Sequence, residues 1–332
     1  MQERIVYIDY LRGFAILLVL IGHIISRCYG DDYLCSPLLR FILAFWMPVF
    51  VFISGYVSYK VSYGAVFAFV KKKAITLLSP FLCMGLIYTI WREENISDFF
   101  YSSLKSGYWF TFVLFEMTMI FYLSNRLSRY VYNSSIYLNI CFLIFSPYII
   151  LLIAYYLLPV SIVDMLSLKE MIRLYIFFAI GALLRKFPLT YEWLIQNNVI
   201  YTFSLLLFSI LIYQIHYTDE VLPISMGVRT VVALSAVFVL FHLFRLIKDE
   251  NIITRCLSLL GRYSLDIYLL HYFFLPDDVD FFSIESSGLI YDLWFAAAFA
   301  LPIAICCLLL SRTIRQSNLL SLFLLGKLEK KK

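Results

Sequence analysis

Arg12 and His23 are the two residues of this sequence whose types and spacing most readily do chemistry together. They stand eleven positions apart in a largely apolar stretch. At 100° per residue a helix brings them to within about 20° of one face, and its rise separates them by roughly 16 Å. Arginine grips phosphate through a planar fork, and histidine titrates near neutral pH and works as a general base. One face would then carry a fixed cation near the helix start and an imidazole deeper in. Such a face suits a long ligand with an anionic head and a reactive tip. The same spacing also fits an interface-anchored arginine and a histidine bonded across helices. Glu116 is another ionisable group in an apolar run. At a depth similar to that of His23 it would orient or charge the imidazole, as a carboxylate does in a His-based dyad. A protonated carboxyl, or a bridge to Arg173 or Arg229, is the alternative.

The elements that must position these groups follow from composition. The chain has 332 residues, of which 62% are hydrophobic and 15% charged, and its mean hydropathy is +0.86. A soluble domain is about 45–50% apolar and about 25% charged. One globular core cannot bury the excess, so soluble enzymes, disordered chains and disulfide-rich modules are excluded and a polytopic all-α membrane protein is expected. Ten spans are expected, at 5–29, 38–58, 74–91, 108–124, 136–158, 170–184, 199–215, 225–247, 263–275 and 289–311. The ninth is short and runs into the acidic stretch at 276–280. With the N-terminus inside, eighteen Lys and Arg fall in the inner segments and five in the outer ones. That asymmetry predicts both termini in the cytoplasm, and it accounts for the net charge of +5 without nucleic acid. Residues 1–311 are expected to form one membrane domain. Residues 312–332 form a basic tail, whose apolar patch Leu319 to Leu325 would lie on the anionic inner leaflet. No cleaved signal peptide is expected, because His23 interrupts the first apolar run and no small-x-small site follows.

Several stretches carry a family likeness. Tyr7-Ile8-Asp9-Tyr10-Leu11-Arg12-Gly13, continuing to Gly22-His23, resembles the opening of the acyltransferase-3 family, whose signature is Arg, ten residues, then His. Phe50-Val51-Phe52-Ile53-Ser54-Gly55-Tyr56 resembles its second-helix block, Phe69 to Pro80 its basic loop, and Tyr108-Trp109-Phe110 the start of its fourth helix. Gly261 to His271 resembles a late block. Five blocks in order span nearly the whole chain. The family often places a second arginine four residues before the proline of the basic loop, where this chain has Thr76. The resemblance implies transfer of an acyl group, most often acetyl, from cytoplasmic acyl-CoA to a hydroxyl of a cell-surface carbohydrate or its lipid-linked precursor, in a bacterial cytoplasmic membrane. It implies His23 as a catalytic group, and Glu116 joins it as a catalytic candidate from its place in the fourth apolar run. Donor phosphates would meet Arg12, Ser54, Gly55, Lys71, Lys72 and Lys73. Ser54-Gly55 also reads as a small-residue helix contact. The hydrolase domain that some members append is not expected here.

The remaining candidates carry two readings each. Asp9, Trp109, Arg173, Arg229 and His271 could contact the acceptor or support the first helix. Arg173 and Arg229 could equally snorkel or pair with nearby acids, Trp109 could be part of an aromatic belt, and His271 could make a structural hydrogen bond. His242 and Arg245 read as headgroup anchors. No Cys/His spacing predicts a metal site, and acyl-CoA is expected as a substrate, with no bound cofactor. Cys28 and Cys35 lie close enough in sequence for a disulfide. The rival reading is a transporter of a glycan intermediate. Against it stand the lack of an inverted repeat and of paired Gly/Pro-broken helices.

Overall fold

Residues 5–59, 66–131, 136–215, 223–276 and 288–327 are described by a computed structural model. Among them the regular structure is helical, without strands. In chain order the helices are α1 (Val6–Cys28), α2 (Pro37–Leu43), α3 (Trp46–Ser58), α4 (Val66–Lys73), α5 (Ser79–Trp91), α6 (Ile96–Tyr101), α7 (Trp109–Val131), α8 (Ile136–Leu157) and α9 (Val160–Met165). They continue as α10 (Leu168–Lys186), α11 (Pro188–Gln196), α12 (Asn198–Leu211), α13 (Pro223–Leu246), α14 (Ile252–Arg262), α15 (Ser264–Leu270), α16 (Leu289–Ile314) and α17 (Asn318–Leu325). The chain divides into two compact units. The first holds Met1–Phe50 and Leu189–Arg312, the second Val51–Pro188 and Thr313–Lys332.

Among the described residues six helical stretches are long and apolar enough to cross a membrane: Val6–Cys28, Pro37–Ser58, Val66–Trp91, Tyr137–Leu157, Ser225–Leu246 and Leu289–Ile314. A seventh forms if Pro188–Gln196 and Asn198–Gln214, bent by 66°, count as one span. Asn197 makes that bend, since its side chain accepts from the amides of Val199 and Ile200 and starts a new helix. Ten spans were expected, and the stretches that fall short of this length and hydropathy do so for local reasons. Glu116, Asn125 and Arg126 interrupt the apolar run of α7, and Lys169, Glu170, Arg173, Arg185 and Lys186 crowd the ends of α10. The stretch 263–275 is the seven-residue α15 followed by a 3-10 turn, His271–Phe274. Helical structure there begins earlier, at α14, which Asn251 and Thr254 start with a reciprocal capping box. Residues 277–280 of the acidic stretch lie outside the described residues, as do Arg4, Lys60 and Lys330 to Lys332 of the charge count. Cys28 and Cys35 are free thiols.

In the first unit α1 is the centre. Of its apolar window 72% is buried, against 28% for α16, so α16 offers most of its surface outward while α1 is enclosed by protein. Its closest partner is α14, and glycine sets the approach. A Cβ on Gly13 would stand 2.0 Å from the carbonyl oxygen of Leu257, and one on Gly261 would stand 1.9 Å from that of Asp9. The two backbones therefore touch at two points, as small residues allow within apolar surroundings. Asp292, fully buried near the start of α16, accepts hydrogen bonds from Tyr29 and Ser36 and so pins the connection from α1 to α2.

The second unit repeats the device. A Cβ on Gly55 of α3 would stand 2.1 Å from the carbonyl of Phe178, and one on Gly181 of α10 would stand 2.2 Å from that of Phe52. α4 runs into α5 through a π-turn, Ala74–Leu78. Thr76 donates its hydroxyl to the carbonyl of Lys72 at 2.6 Å, satisfying a carbonyl that the widened turn would leave short. The tail helix α17 packs on α5, with Ser79 donating to the carbonyl of Phe323. Ser321 and Leu325 are buried there, while Leu319, Leu320 and Phe323 stay exposed. The tail thus has a docked face and an apolar free face.

Lys105 knots the other end of this unit. It is 2% exposed, and its ammonium donates to the carbonyls of Met165, Phe100 and Ser102 at 2.8, 3.0 and 3.3 Å. Burial pulls its pKa down to about 8, against Glu116 and Asp164, whose negative charge holds it up. A closed segment that binds the proton more weakly than an open one tightens as pH rises from about 8 through the ordinary lysine range. Limited proteolysis in residues 92–107, normalised to Lys105→Met, should therefore slow between pH 8 and 10. A second expectation concerns α1. Gly261→Ala drives a methyl into the Asp9 carbonyl, and overpacking of this kind costs about 1–3 kcal/mol. Its melting temperature in detergent should fall below that of wild type, whereas Gly227→Ala, where a Cβ meets nothing within 4 Å and alanine suits a helix better than glycine, should not lower it.

Candidate active site

α1 is unbroken from Val6 to Cys28, so the helical relation between Arg12 and His23 holds as expected, one face with roughly 16 Å between them. Both side chains are half-buried. Close contact with α14 sets the rotation of this helix, because Asp9 and Gly13, flanking Arg12, are the points that touch it. Asp9 itself is buried at the crossing.

Around His23 three aromatic rings converge. The centroids of His271 and Tyr272 lie 5.2 Å away and that of Trp46 lies 5.4 Å away. The Tyr272 hydroxyl stands 3.4 Å from Nε2 of His23, a long contact whose direction is set by the tautomer of His23. Trp46 reaches this place because Gly22 has no side chain; a Cβ there would stand 2.6 Å from the indole. His271 is fully buried, and its Nδ1 lies 2.7 Å from the carbonyl oxygen of Tyr268. A carbonyl only accepts, so Nδ1 carries the proton and Nε2 keeps its lone pair. That Nε2 is buried with no hydrogen-bond partner. An imidazole held by its own turn and presenting an unsatisfied acceptor beside a second, more accessible imidazole is a costly arrangement, and such costs concentrate at functional sites.

The structure thus brings together His23 and His271 from the expected residues. It adds Tyr272 and Trp46, which sequence reasoning missed. Tyr272 was open to detection, since it adjoins His271, but Trp46 had no signal beyond its place at a helix start. The other expected residues are each described within their own unit. Glu116 lies in the second unit on α7 with Oε2 buried and without a hydrogen-bond partner, and the cation whose charge reaches it is Lys105. Gly55 does not leave backbone open to a ligand; the Phe178 carbonyl fills that space, and the small-residue helix contact is the correct reading. Ser54 is half-buried on the same helix. Lys71, Lys72 and Lys73 sit in the last turn of α4 and not in a loop, because the helix continues through the π-turn. Lys71 and Lys72 are exposed, and Lys73 donates to Ser58 at 3.2 Å. Arg173 is bound to Glu170 at 3.0 Å, an i, i+3 pair on α10, which favours the ion-pair reading over an acceptor contact. Arg229 is half-buried near the start of α13, and Trp109 is half-buried at the start of α7. His242 stacks on Tyr201 at 4.4 Å and bonds the Ile195 carbonyl at 2.7 Å, a packing role and not a headgroup anchor.

These features define a multi-pass membrane protein with a two-imidazole centre set into its helices. The family model for the acyltransferase domain, Acyl_transf_3, matches residues 5–312. The chain belongs to that family and is in its class an acyltransferase. Two curated relatives are similar over part of their length. Nodulation protein NolL of Sinorhizobium fredii (strain NGR234) is 28% identical over 153 residues, 40% of this chain and 41% of that protein. Nodulation protein NolL of Mesorhizobium japonicum is 29% identical over 150 residues, 40% of each chain. The matched region therefore spans about two fifths of these relatives. No solved structure matches the chain.

Tyr272→Phe removes a hydroxyl within reach of His23 and keeps the ring. One hydrogen bond is worth about 0.5–1.5 kcal/mol, so acyl transfer should drop by about three- to tenfold at an unchanged melting temperature. An unaltered rate would show that the hydroxyl does not bear on His23.

Proposed function

We propose that this protein moves an acyl group, acetyl in the first place, from cytoplasmic acyl-CoA to a hydroxyl of a cell-surface polysaccharide or its lipid-linked precursor. It would do so in a bacterial cytoplasmic membrane, with ten crossings and both termini inside, and residues 1–311 as the membrane domain. The inner-side excess of Lys and Arg supports that orientation. The observation that carries the mechanism is the pairing of a half-buried His23 with a fully enclosed His271, 5.2 Å apart between ring centroids.

In this reading Nε2 of His23 takes the proton of the acceptor hydroxyl. The oxygen bonds to the acyl carbon as its bond to the CoA sulfur breaks, and the thiolate leaves and recovers a proton. A general base contributes about 10²–10⁴ in rate. His271 and Tyr272 keep the His23 ring in place, and their burial keeps water away from the basic nitrogen. Arg12, on the same helix face, takes a donor phosphate; Ser54 and Lys71 to Lys73 are kept as donor-binding candidates on the family resemblance alone. Glu116 enters as a further proton-handling group; its unpartnered Oε2 supports this and the field of Lys105 opposes it. Trp109, Arg229 and Asp9 remain as acceptor or supporting contacts.

The test is transfer of labelled acetyl from acetyl-CoA into surface glycan by membrane vesicles. His23→Ala should lose at least about a hundredfold in rate, and Arg12→Ala should raise the donor KM. Transfer by His23→Ala at the wild-type rate would sink the mechanism.

A further inference from the structure

His271 holds a lone pair that no donor meets. Its Nδ1 gives its proton to the Tyr268 carbonyl at 2.7 Å, within the same turn. Its Nε2 is therefore an acceptor, buried and without a hydrogen-bond partner. The residue is 0% exposed. Three rings pack on this imidazole, those of His23 at 5.2 Å, Tyr272 at 4.1 Å and Tyr268 at 5.9 Å between centroids. Of these only His23 has a ring N–H. The Tyr272 hydroxyl lies toward His23, 3.4 Å from its Nε2.

Two features fit the lone pair to His23, and the first is spacing. Centroids 5.2 Å apart match the span of one direct N–H···N hydrogen bond between two imidazoles. Turning a ring makes that bond without backbone motion. The outer side-chain torsion of histidine is broad, and His23 is half-buried, with room that His271 lacks. Catalytic hydrogen bonds are often long or misaligned before substrate binds. The second feature is charge. A base that takes a proton among enclosed rings becomes a cation, and a cation held away from water needs an acceptor. A carboxylate would meet that need but would itself be a buried charge in the resting protein. The two fully buried carboxyls of this unit, Asp266 and Asp292, already accept from Ser311 and from Tyr29 and Ser36. A neutral imidazole supplies the acceptor and brings no charge of its own.

We propose that His271 is the positioning partner of His23. Its Nε2 accepts the Nδ1–H of His23 as the acceptor hydroxyl is deprotonated, the place that a carboxylate fills in a His-based dyad. This rests on the general-base reading of His23 given above. His23 gains the hydroxyl proton on Nε2 and keeps its own proton on Nδ1, shared with the lone pair of His271. The proton on Nε2 then passes to the departing CoA thiolate, and His23 returns to neutral. His271 holds one proton throughout. An interaction that strengthens as charge develops raises kcat and leaves ground-state binding alone.

Two substitutions separate this role from a structural one. His271→Asn keeps an N–H for the Tyr268 carbonyl and has nothing at the position of Nε2. His271→Gln reaches that position with an amide oxygen. Transfer of labelled acetyl into surface glycan by membrane vesicles is measured over a range of acetyl-CoA concentrations. His271→Asn should lower kcat at least about tenfold, the loss of one charge-assisted hydrogen bond, with KM unchanged. His271→Gln should return to within about threefold of wild type. His23→Nδ1-methylhistidine leaves His271 untouched and so guards against His271 variants that fail to fold. It keeps the basic nitrogen, removes the N–H, and should lose as much kcat as His271→Asn. The double variant should lose no more than either single one, because both remove the same bond. Wild-type kcat in His271→Asn, a His271→Gln no faster than His271→Asn, or losses that add in the double variant would each overturn the partnership. An inactive His23→Ala beside a fully active His271→Asn strikes the partnership alone. Transfer by His23→Ala at the wild-type rate strikes the general-base reading, and the partnership with it.

Discussion

Two carbonyl groups, those of Asp9 and Leu257, press into spaces that only glycine leaves open on the facing helix. This backbone contact between α1 and α14 sets the rotation and depth of α1, and α1 carries both Arg12 and His23. Rotating α1 by one residue would swing His23 by about 100° and take it away from Trp46, His271 and Tyr272. The late segment Gly261 to His271 is tied to the same contact. Gly261 packs on α1 and His271 follows ten residues later, so one crossing brings both imidazoles to one place.

The enclosed polar groups follow one rule of cost. A buried donor or acceptor without a partner costs about 1–3 kcal/mol, so most are met. Asp266 takes the Ser311 hydroxyl at 2.7 Å, Asp292 takes two hydroxyls, His242 takes a carbonyl, and Lys105 takes three. Against that background Nε2 of His271, Oε2 of Glu116 and Oγ of Ser321 are unmet. The first two belong to residues that sequence reasoning had already singled out for chemistry. The orphaned atom of His271 lies beside His23, and that of Glu116 lies in the field of a lysine whose ammonium is committed to carbonyls.

The second unit shows where local pattern misleads. Lys71 to Lys73 look like a loop because three lysines interrupt an apolar run, yet the helix passes through them by widening into a π-turn at Ala74–Leu78. Ser54-Gly55 looks like a place for a ligand to approach backbone, and a neighbouring helix has already made that approach at Phe178. Arg185 and Lys186 look like topology markers only. Their aromatic and amide partners come from Tyr56, Asn125 and Asn139, at separations from 47 to 129 residues that leave no trace in the local sequence.

The sequence by itself determined the class. Its apolar excess, its helical runs and the uneven placement of Lys and Arg are sums over local properties, and neither packing nor pairing can alter them. The Arg12 and His23 relation was legible for the same reason, since eleven residues of one unbroken helix have a set geometry. Only tertiary structure decided what stands beside His23. Tyr272 is 249 residues away in the chain, and it arrives through a glycine-mediated crossing whose significance no single segment carries. Contacts between distant backbones depend on which surfaces fit. That fit is a property of pairs of helices, so the partners of each buried charge emerged only when the helices were packed.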